Sequence, residues 1–297
     1  MSVERRTILL TGSTGFLGSN LLRRLLQAGC TVVITTRTAS DFWRIDDLRP
    51  MVTEFNIETN DLSEVFRRHA IDTIVHCATN YGRKEINDLL LLNANLVLPL
   101  TLLQLGAEHN VRRFINTDTV LDKRTSSYSL SKHQFKEWLK VYADRMTGIN
   151  VALEHFYGPF DDESKFVTFI IRSLIKGVER IDLTRGEQKR DFIHIDDVVD
   201  AFLRIIANSE RLGNGFYHYE IGSARTISIR DFVILAKRLS GNTATKLNFG
   251  ALPYRPNEVM ESRVDITEIQ KLGWAPHIPF EEGLEKTVRA ELERETS

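Results

Sequence analysis

The chain has 297 residues, a formal net charge of −1 and 42% hydrophobic residues, which suits one large or two packed domains with a substantial core. Its balanced charge argues against nucleic-acid binding, and its two cysteines exclude a disulfide framework or a cysteine metal site, so no metal is expected. We expect no membrane-spanning apolar stretch and no signal peptide, which indicates a soluble cytoplasmic protein without a membrane partner.

A glycine-rich turn lies near the start of the chain, where residues 7–18 read TILLTGSTGFLG. The apolar run, the glycines and the helix-forming residues 21–28 predict a strand, a tight turn and a helix. Glycines let the backbone approach a pyrophosphate, and a helix N-terminus offers free N–H groups and a positive dipole end. We therefore expect a dinucleotide here, the alternative being an ordinary strand–helix turn. The residues expected to contact the cofactor are Gly12, Thr14, Gly15, Phe16, Leu17 and Gly18.

Apolar runs alternate with helical patterns through the first half of the chain. Strands are predicted at residues 8–10, 31–36, 52–55, 73–77, 113–116 and 150–154. Helices are predicted at residues 21–28, 62–69, 89–109 and 131–145. This alternation predicts an α/β fold with a doubly wound parallel sheet of Rossmann type, in which ligands bind at the carboxyl ends of the strands.

The end of the second strand bears on the choice of cofactor. An NAD-binding unit usually has an acid here for the ribose 2′-hydroxyl, whereas this chain has Thr36 followed by Arg37. Arginine pairs well with the 2′-phosphate that an acid would repel. The pattern favours NADP(H) over NAD(H), with Arg44 as a further candidate near the phosphate. The alternative is that Arg37 is a solvated loop residue.

Side chains suited to proton transfer follow the fifth strand, which ends near Thr117. Tyr128 and Lys132 are four residues apart at the start of the next predicted helix, so they share one helical face. A nearby ammonium favours the phenolate and lowers the pKa of a tyrosine, which can then exchange a proton with a carbonyl oxygen that Thr117 also holds. We predict that these three residues are catalytic, the alternative for the pair being a surface helix contact.

The glycine spacing, this triad and two later motifs resemble the extended short-chain dehydrogenase/reductases, also called the NAD-dependent epimerase/dehydratase family. The later motifs are residues 186–198, GEQKRDFIHIDDV, and residues 272–276, LGWAP. Within that family the chain is most similar to nucleotide-sugar 4-ketoreductases of the CDP-abequose synthase type. The stretches that carry this likeness are residues 78–82, 116–118, 153–159, 186–193 and 249–251.

The resemblance implies NADPH-dependent reduction of the C4 ketone of an NDP-4-keto-6-deoxyhexose carried on CDP or dTDP. It adds to the cofactor site Thr36, Arg37, Asn56, Ile57, Ala78, Thr79, Asn95, Tyr128, Lys132 and His155. It assigns to the nucleotide-sugar substrate Thr79, Tyr81, Asp118, Arg190 and Arg255, the two arginines reaching the diphosphate. His155 replaces a family asparagine, so it either touches substrate or nicotinamide or merely fills the same space.

One departure from the family pattern separates the chain from dehydratases, whose fifth strand ends in Thr-Asp-Glu. Here that end reads Thr117-Asp118-Thr119, so we expect poor 4,6-dehydration, with Asp118 either structural or bound to a substrate hydroxyl. His76 and the pair Asp196 and Asp197 are expected to be structural. The alternative functions are an NAD-dependent nucleotide-sugar 4-epimerase and, third, a non-catalytic NADP-binding protein.

The strand–helix alternation weakens after Tyr157. We expect a Rossmann domain over residues 1–157 and a smaller C-terminal α/β nucleotide-sugar-binding lobe over residues 158–297, with some chain crossing back. Helices 89–109 and 131–145 resemble the family's dimer-forming pair and predict a homodimer. Their apolar stripes are explained equally well by intramolecular packing.

Overall fold

The structure is a computed structural model that describes residues 6–82, 87–255 and 258–296. These residues divide into two compact units. The first comprises residues up to Leu153, Val199–Glu220 and Thr267–Trp274; the second comprises Glu154–Val198, Ile221–Ile266 and the residues from Ala275 onward. The second half of the chain therefore returns twice to the first unit.

A seven-stranded sheet forms the centre of the first unit. Its strands are β1 (Thr7–Thr11), β2 (Thr31–Thr36), β3 (Thr53–Asn56), β4 (Thr73–His76), β5 (Arg113–Thr119), β6 (Thr147–Leu153) and β10 (Gly215–Ile221), in the order β10-β6-β5-β4-β1-β2-β3. The pairings among β1–β6 are parallel. Thr11 lies opposite His76, and His76 lies opposite Asn116. The segments that follow β1, β4 and β5 therefore meet at one edge of the sheet, which confirms the predicted Rossmann-type α/β fold.

The helices around this sheet are α1 (Phe16–Gln27), α2 (Ser63–Arg68), α3 (Asp88–Leu92), α4 (Leu98–Glu108), α5 (Ser127–Val141), α7 (Ile195–Asn208), which the second unit also shares, and α9 (Thr267–Gln270). Buried apolar residues such as Leu9, Ile74, Phe114 and Phe135 fill the space between sheet and helices. The central strands read as continuous apolar runs because both of their faces are covered.

The predicted helix 89–109 is divided, since a π-helical turn, Asn93–Val97, separates α3 from α4. The whole segment Asp88–Glu108 has 21 residues and is apolar enough, by length and composition, to span a membrane. The expectation that no stretch reaches that length is therefore wrong. Leu102 and Leu103 are fully buried in the first unit, so the C-terminal part of this segment contributes to the core, whereas Leu89 and Val97 are exposed.

The second unit contains two small sheets. Their strands are β7 (His155–Tyr157), β8 (Arg180–Leu183), β9 (Lys189–His194), β11 (Thr226–Ser228) and β12 (Lys246–Phe249), ordered β11-β9-β7 and β12-β8. Its helices are α6 (Phe166–Ile175), α8 (Ile229–Leu239) and α10 (Phe280–Thr296). Phe192, Phe232 and Leu284 are among the residues of its core, so α10 completes the packing of this unit.

Candidate active site

The glycine turn after β1 is packed directly against the chain that leaves β4. Gly12 has φ +68°, and a Cβ there would lie 2.5 Å from the backbone nitrogen of Ala78. A Cβ on Gly18 would lie 2.1 Å from the carbonyl oxygen of Gly12. Both contacts are far inside van der Waals range, so side chains are excluded at these two positions, where backbone packs directly against backbone.

The N-terminus of α1 follows this turn. Gly15 is its N-cap residue, no side-chain cap is present, and no acidic residue lies in the first turn. No carboxylate in this first turn offsets the positive end of the helix dipole. A pyrophosphate can therefore bind here without repulsion from a nearby acid.

The edge formed by β2 and β3 carries the residues predicted near the adenosine. Thr36 is buried and lies opposite Asn56 in the register, and the Ile57 N–H donates to the carbonyl of Thr36 at 3.0 Å. The Arg37 side chain is exposed and makes no hydrogen bond or ion pair with the residues that the structure describes. Arg44 instead stacks its guanidinium 4.2 Å from the ring centroid of Trp43.

A chain of hydrogen bonds fixes the end of β5, where the predicted catalytic residue Thr117 lies. The Thr117 hydroxyl donates to the carbonyl of His76 at 2.9 Å, and His76 Nδ1 lies 2.9 Å from Thr11 Oγ1. His76 is fully buried, and burial, followed by the charge of Lys132, holds its pKa well below the ordinary value. A neutral, inaccessible imidazole suits a structural role.

Helix α5 begins at Ser127, four residues earlier than predicted, because Ser126 and Ser129 form a capping box. This start puts Tyr128 in the first turn and Lys132 one turn later. The Tyr128 ring is half-buried, with its centroid 5.1 Å from that of Tyr81. The predicted catalytic tyrosine and the predicted substrate residue Tyr81 are therefore brought together.

Lys132 is buried, with 1% of its surface exposed, and its Nζ has no hydrogen-bond partner among the residues that the structure describes. Burial lowers its pKa from 10.5 to about 8, opposed chiefly by the negative charge of Asp118. A buried ammonium without a partner is costly. Its donors are suited to hydroxyl groups of a ligand, such as those of a cofactor ribose.

Asp118 is occupied by the protein. One carboxylate oxygen accepts the Thr119 N–H and the other accepts from Asn150 Nδ2, both at 2.8 Å. Asn116 also donates to Asn150, at 2.8 Å. Two roles were expected for Asp118, and these bonds favour the structural role over binding of a substrate hydroxyl.

Asn95, predicted to contact the cofactor, is fully buried within the π-helical turn. Its amide donates to the Asn80 carbonyl at 2.8 Å and to Ser131 Oγ at 3.1 Å, while its oxygen accepts the Asn80 N–H at 2.8 Å. Asn95 thus joins the loop after β4, which includes Thr79, to helix α5. These contacts indicate a positioning role.

In the second unit, the predicted diphosphate residue Arg190 is held by protein acceptors. It pairs with Glu258 and donates to the carbonyl of Val259 at 2.6 Å. Arg255 is exposed, and the next two residues lie outside the described part of the chain.

The predicted contact residue His155 forms a pair with its neighbour in the second unit. Its Nδ1 lies 2.5 Å from the carboxylate of Glu154, a fully buried side chain that Ser262 also contacts. The His155 side chain remains 41% exposed. Its outer nitrogen is therefore free to meet a ligand while Glu154 orients the ring.

Asp197 binds backbone groups of a later segment, in agreement with the structural role expected for it. Helix α7 begins at Ile195, so Asp196 and Asp197 lie in its first turn. The Asp197 carboxylate accepts the N–H groups of His277 and Ile278 at 3.2 and 3.1 Å. It thereby anchors the segment that precedes α10.

Comparison with known proteins agrees with this geometry. The model of the NAD dependent epimerase/dehydratase family matches residues 8–222. The chain belongs to this family. CDP-abequose synthase of Salmonella typhimurium is 31% identical over 97% of this chain and 99% of its own length. The protein of that name from Salmonella muenchen is 33% identical over 95% and 96%. The structure of UDP-glucose 4-epimerase from Thermotoga maritima superposes with a TM-score of 0.84 and 24% identity, covering 98% of this chain and 99% of the epimerase.

The residues of this family member fit an NAD(P) cofactor. The N-terminus of α1 has neither a side-chain cap nor an acid in its first turn, and the buried Nζ of Lys132 has no partner among the described residues. Both features are explained by a dinucleotide with its pyrophosphate at α1 and its nicotinamide ribose at Lys132.

Three residues of the site escaped the sequence analysis. They are Asn150, which holds Asp118; Glu154, which holds His155; and Glu58, which accepts the Thr38 N–H at 2.8 Å. For Glu154 a signal was available, because an acid directly after a buried apolar strand often holds a neighbouring polar group. The other two belong to no motif, and their roles depend on partners far away in the sequence.

Proposed function

We propose that this enzyme of the NAD(P)-dependent epimerase/dehydratase family reduces the C4 ketone of an NDP-4-keto-6-deoxyhexose, carried on CDP or dTDP, with NADPH. The observation that carries the proposal is Tyr128 one turn before a buried Lys132, beside a strand that ends Thr117-Asp118-Thr119. This arrangement provides for proton transfer at a carbonyl but lacks the glutamate of dehydratases. The full-length likeness to CDP-abequose synthases supports the same substrate class.

The proton and the ketone oxygen are handled by residues of the first unit. Bound NADPH supplies the hydride to C4. Tyr128 donates its proton to the developing O4 alkoxide, and Lys132 favours the phenolate that remains and holds the nicotinamide ribose. General acid assistance of this kind contributes about 10²–10⁴-fold.

Thr117 assists once its hydroxyl turns. In the structure the hydroxyl donates to the His76 carbonyl, and a hydroxyl rotor can redirect its single proton. We propose that it turns toward O4 when the ketone binds, while His76, neutral and buried, supports the strand.

The nucleotide sugar is held by residues on loops. We propose that Thr79 and Tyr81 contact the sugar and that the exposed Arg255 pairs with the diphosphate, because a guanidinium matches phosphate geometry. Arg190 contributes to the same diphosphate only if it exchanges Glu258 for the ligand, since that carboxylate now holds it. His155 presents its outer nitrogen to substrate or nicotinamide.

The direct test is a screen of 4-keto-6-deoxy sugars on CDP, dTDP, GDP and UDP carriers with NADPH. We expect stoichiometric oxidation of NADPH and a 4-hydroxy product, whose configuration NMR identifies. Turnover of a 4-hydroxy nucleotide sugar without net cofactor consumption would instead establish the runner-up, a 4-epimerase with tightly held NAD. That enzyme would use the same triad, and Thr36 with Arg37 argues against it. Absence of any turnover would leave the third alternative, a non-catalytic NADP-binding protein.

We propose further that the protein is a cytoplasmic homodimer. Helices α3 and α5 and the π-helical turn between α3 and α4 expose large apolar side chains: Leu89, Leu90, Val97, Leu130, Trp138 and Val141. A monomer rarely leaves such a set in water. Sedimentation equilibrium should show a dimer that V141E dissociates. A wild-type monomer would contradict this assembly.

A further inference from the structure

An acid at the end of β3 reaches the loop that follows β2. Glu58 accepts the Thr38 backbone N–H at 2.8 Å. Asn56 Nδ2 lies 3.3 Å from Thr38 Oγ1, and Asn56 Oδ1 accepts the Glu58 N–H at 2.9 Å. The Arg37 N–H donates to Ser40 Oγ at 2.8 Å. Side-chain bonds therefore tie this loop both to itself and to the end of β3.

Glu58 adds a negative charge to this loop. Hydrogen bonds from the Thr38 backbone and side chain, and then the charge of Arg37, lower the pKa of its carboxyl. The carboxylate is therefore ionised at neutral pH, close enough to the Arg37 guanidinium for the two charges to interact. The Arg37 side chain itself makes no hydrogen bond or ion pair within the described part of the chain.

Backbone N–H groups and arginines are the donors that phosphate esters use in proteins. Here the carboxylate of Glu58 already takes one such donor, Thr38 N–H, beside Arg37. NAD-binding units of this fold usually place their ribose acid at the end of β2, where this chain has Thr36. In this chain an acid comes instead from the end of the neighbouring strand.

We propose that Glu58 is a cofactor-selectivity residue. Its carboxylate accepts the Thr38 backbone N–H beside Arg37, a donor that the 2′-phosphate of NADP(H) would otherwise use. It accepts the free ribose hydroxyl of NAD(H) and repels the 2′-phosphate, so it opposes the preference that Arg37 creates. The inference rests on NAD(P) binding by the first unit and not on the sugar that is reduced. Glu58 therefore makes the preference for NADP(H) smaller than Arg37 alone would produce.

The test is E58Q, which removes the charge while its amide oxygen can still accept the Thr38 N–H. Adenosine 2′,5′-bisphosphate and AMP are titrated into the cofactor-free protein by calorimetry. One charge at a partly solvated site changes affinity about three- to tenfold, so E58Q should tighten the bisphosphate by that factor and leave AMP unchanged or slightly weaker. The gain should shrink as salt screens the charge.

Two variants complete the design. E108Q removes the same charge from α4 in the first unit and should leave both affinities unchanged. R37Q should weaken the bisphosphate alone. An unchanged or weaker bisphosphate affinity in E58Q, or an equal gain in E108Q, overturns the inference. A selective gain in E58Q with no effect of R37Q supports it and overturns the NADP(H) preference instead, so the two proposals fail separately.

Discussion

Replacing Lys132 by methionine should stabilise the cofactor-free protein while removing its activity. Lys132 is buried, its Nζ has no hydrogen-bond partner within the described chain, and its pKa falls from 10.5 to about 8. The ammonium is therefore more stable in the unfolded chain than in the folded protein. Methionine has a similar length and volume and keeps the apolar contacts of the stem without the charge.

The magnitude follows from the depressed pKa. With each pKa unit worth about 1.4 kcal/mol, the depression corresponds to about 3 kcal/mol at pH 7. The depressed pKa already includes the attraction between Lys132 and Asp118. Imperfect packing of the methionine reduces the gain, so we expect a net stabilisation of about 1–3 kcal/mol. The direction of the pKa shift sets how stability depends on pH. Between pH 8 and 10.5 the unfolded chain keeps a proton on Lys132 that the folded protein has lost. This group therefore makes the unfolding free energy of the wild type rise with pH across that window.

The assay is urea unfolding of cofactor-free protein at pH 7 and at higher pH, with NADPH binding measured separately by fluorescence. The control is K136M, the same substitution one turn further along α5 at a half-buried lysine, which should give no stabilisation. We expect K132M to unfold at higher urea, lose the rise of stability with pH above 8, and bind NADPH more weakly. Equal or lower stability of K132M, with K136M unchanged, would refute the reasoning about the buried charge.

Three further substitutions test the site. Tyr128→Phe should lower kcat about 10²–10⁴-fold, the value of general acid catalysis, with NADPH affinity within a few-fold of wild type; near-normal turnover would exclude Tyr128 as the proton donor. Gly18→Ala should weaken NADPH binding by at least tenfold in fluorescence titration, because its Cβ would lie 2.1 Å from the Gly12 carbonyl oxygen, and unchanged affinity would show that the turn does not hold the cofactor. Asn95→Ala should cost about 1–3 kcal/mol of unfolding free energy, because it leaves the half-buried N–H and carbonyl of Asn80 without their protein partner; a thermal melt that matches wild type would contradict the positioning role.

The parts of the site that sequence analysis predicted depend on short-range pattern. The spacing from Gly12 to Gly18 and the four-residue step from Tyr128 to Lys132 depend only on backbone conformation within a turn or a helix. The parallel sheet follows from alternating strand and helix periods. These features needed no knowledge of which distant segments meet.

Element boundaries and side-chain partners were predicted less well. The start of α5 moved to Ser127 because a serine capping box overrode the apolar period, and the helix over residues 89–109 was divided by the π-helical turn around Asn95. In both cases polar side chains satisfied backbone groups in a way that hydrophobic periodicity does not record.

The amino-acid sequence by itself determined the fold and the family and predicted the triad that we propose, because each is encoded in residues close together along the chain. Tertiary structure alone decided which polar partners the charged side chains of the site meet. It set Glu58 against Thr38, Asn150 against Asp118 and Arg190 against Glu258. These partners lie 20 to 68 positions apart, and Coulomb and hydrogen-bond energies depend on distance in space and on burial, both of which exist only after the chain has folded.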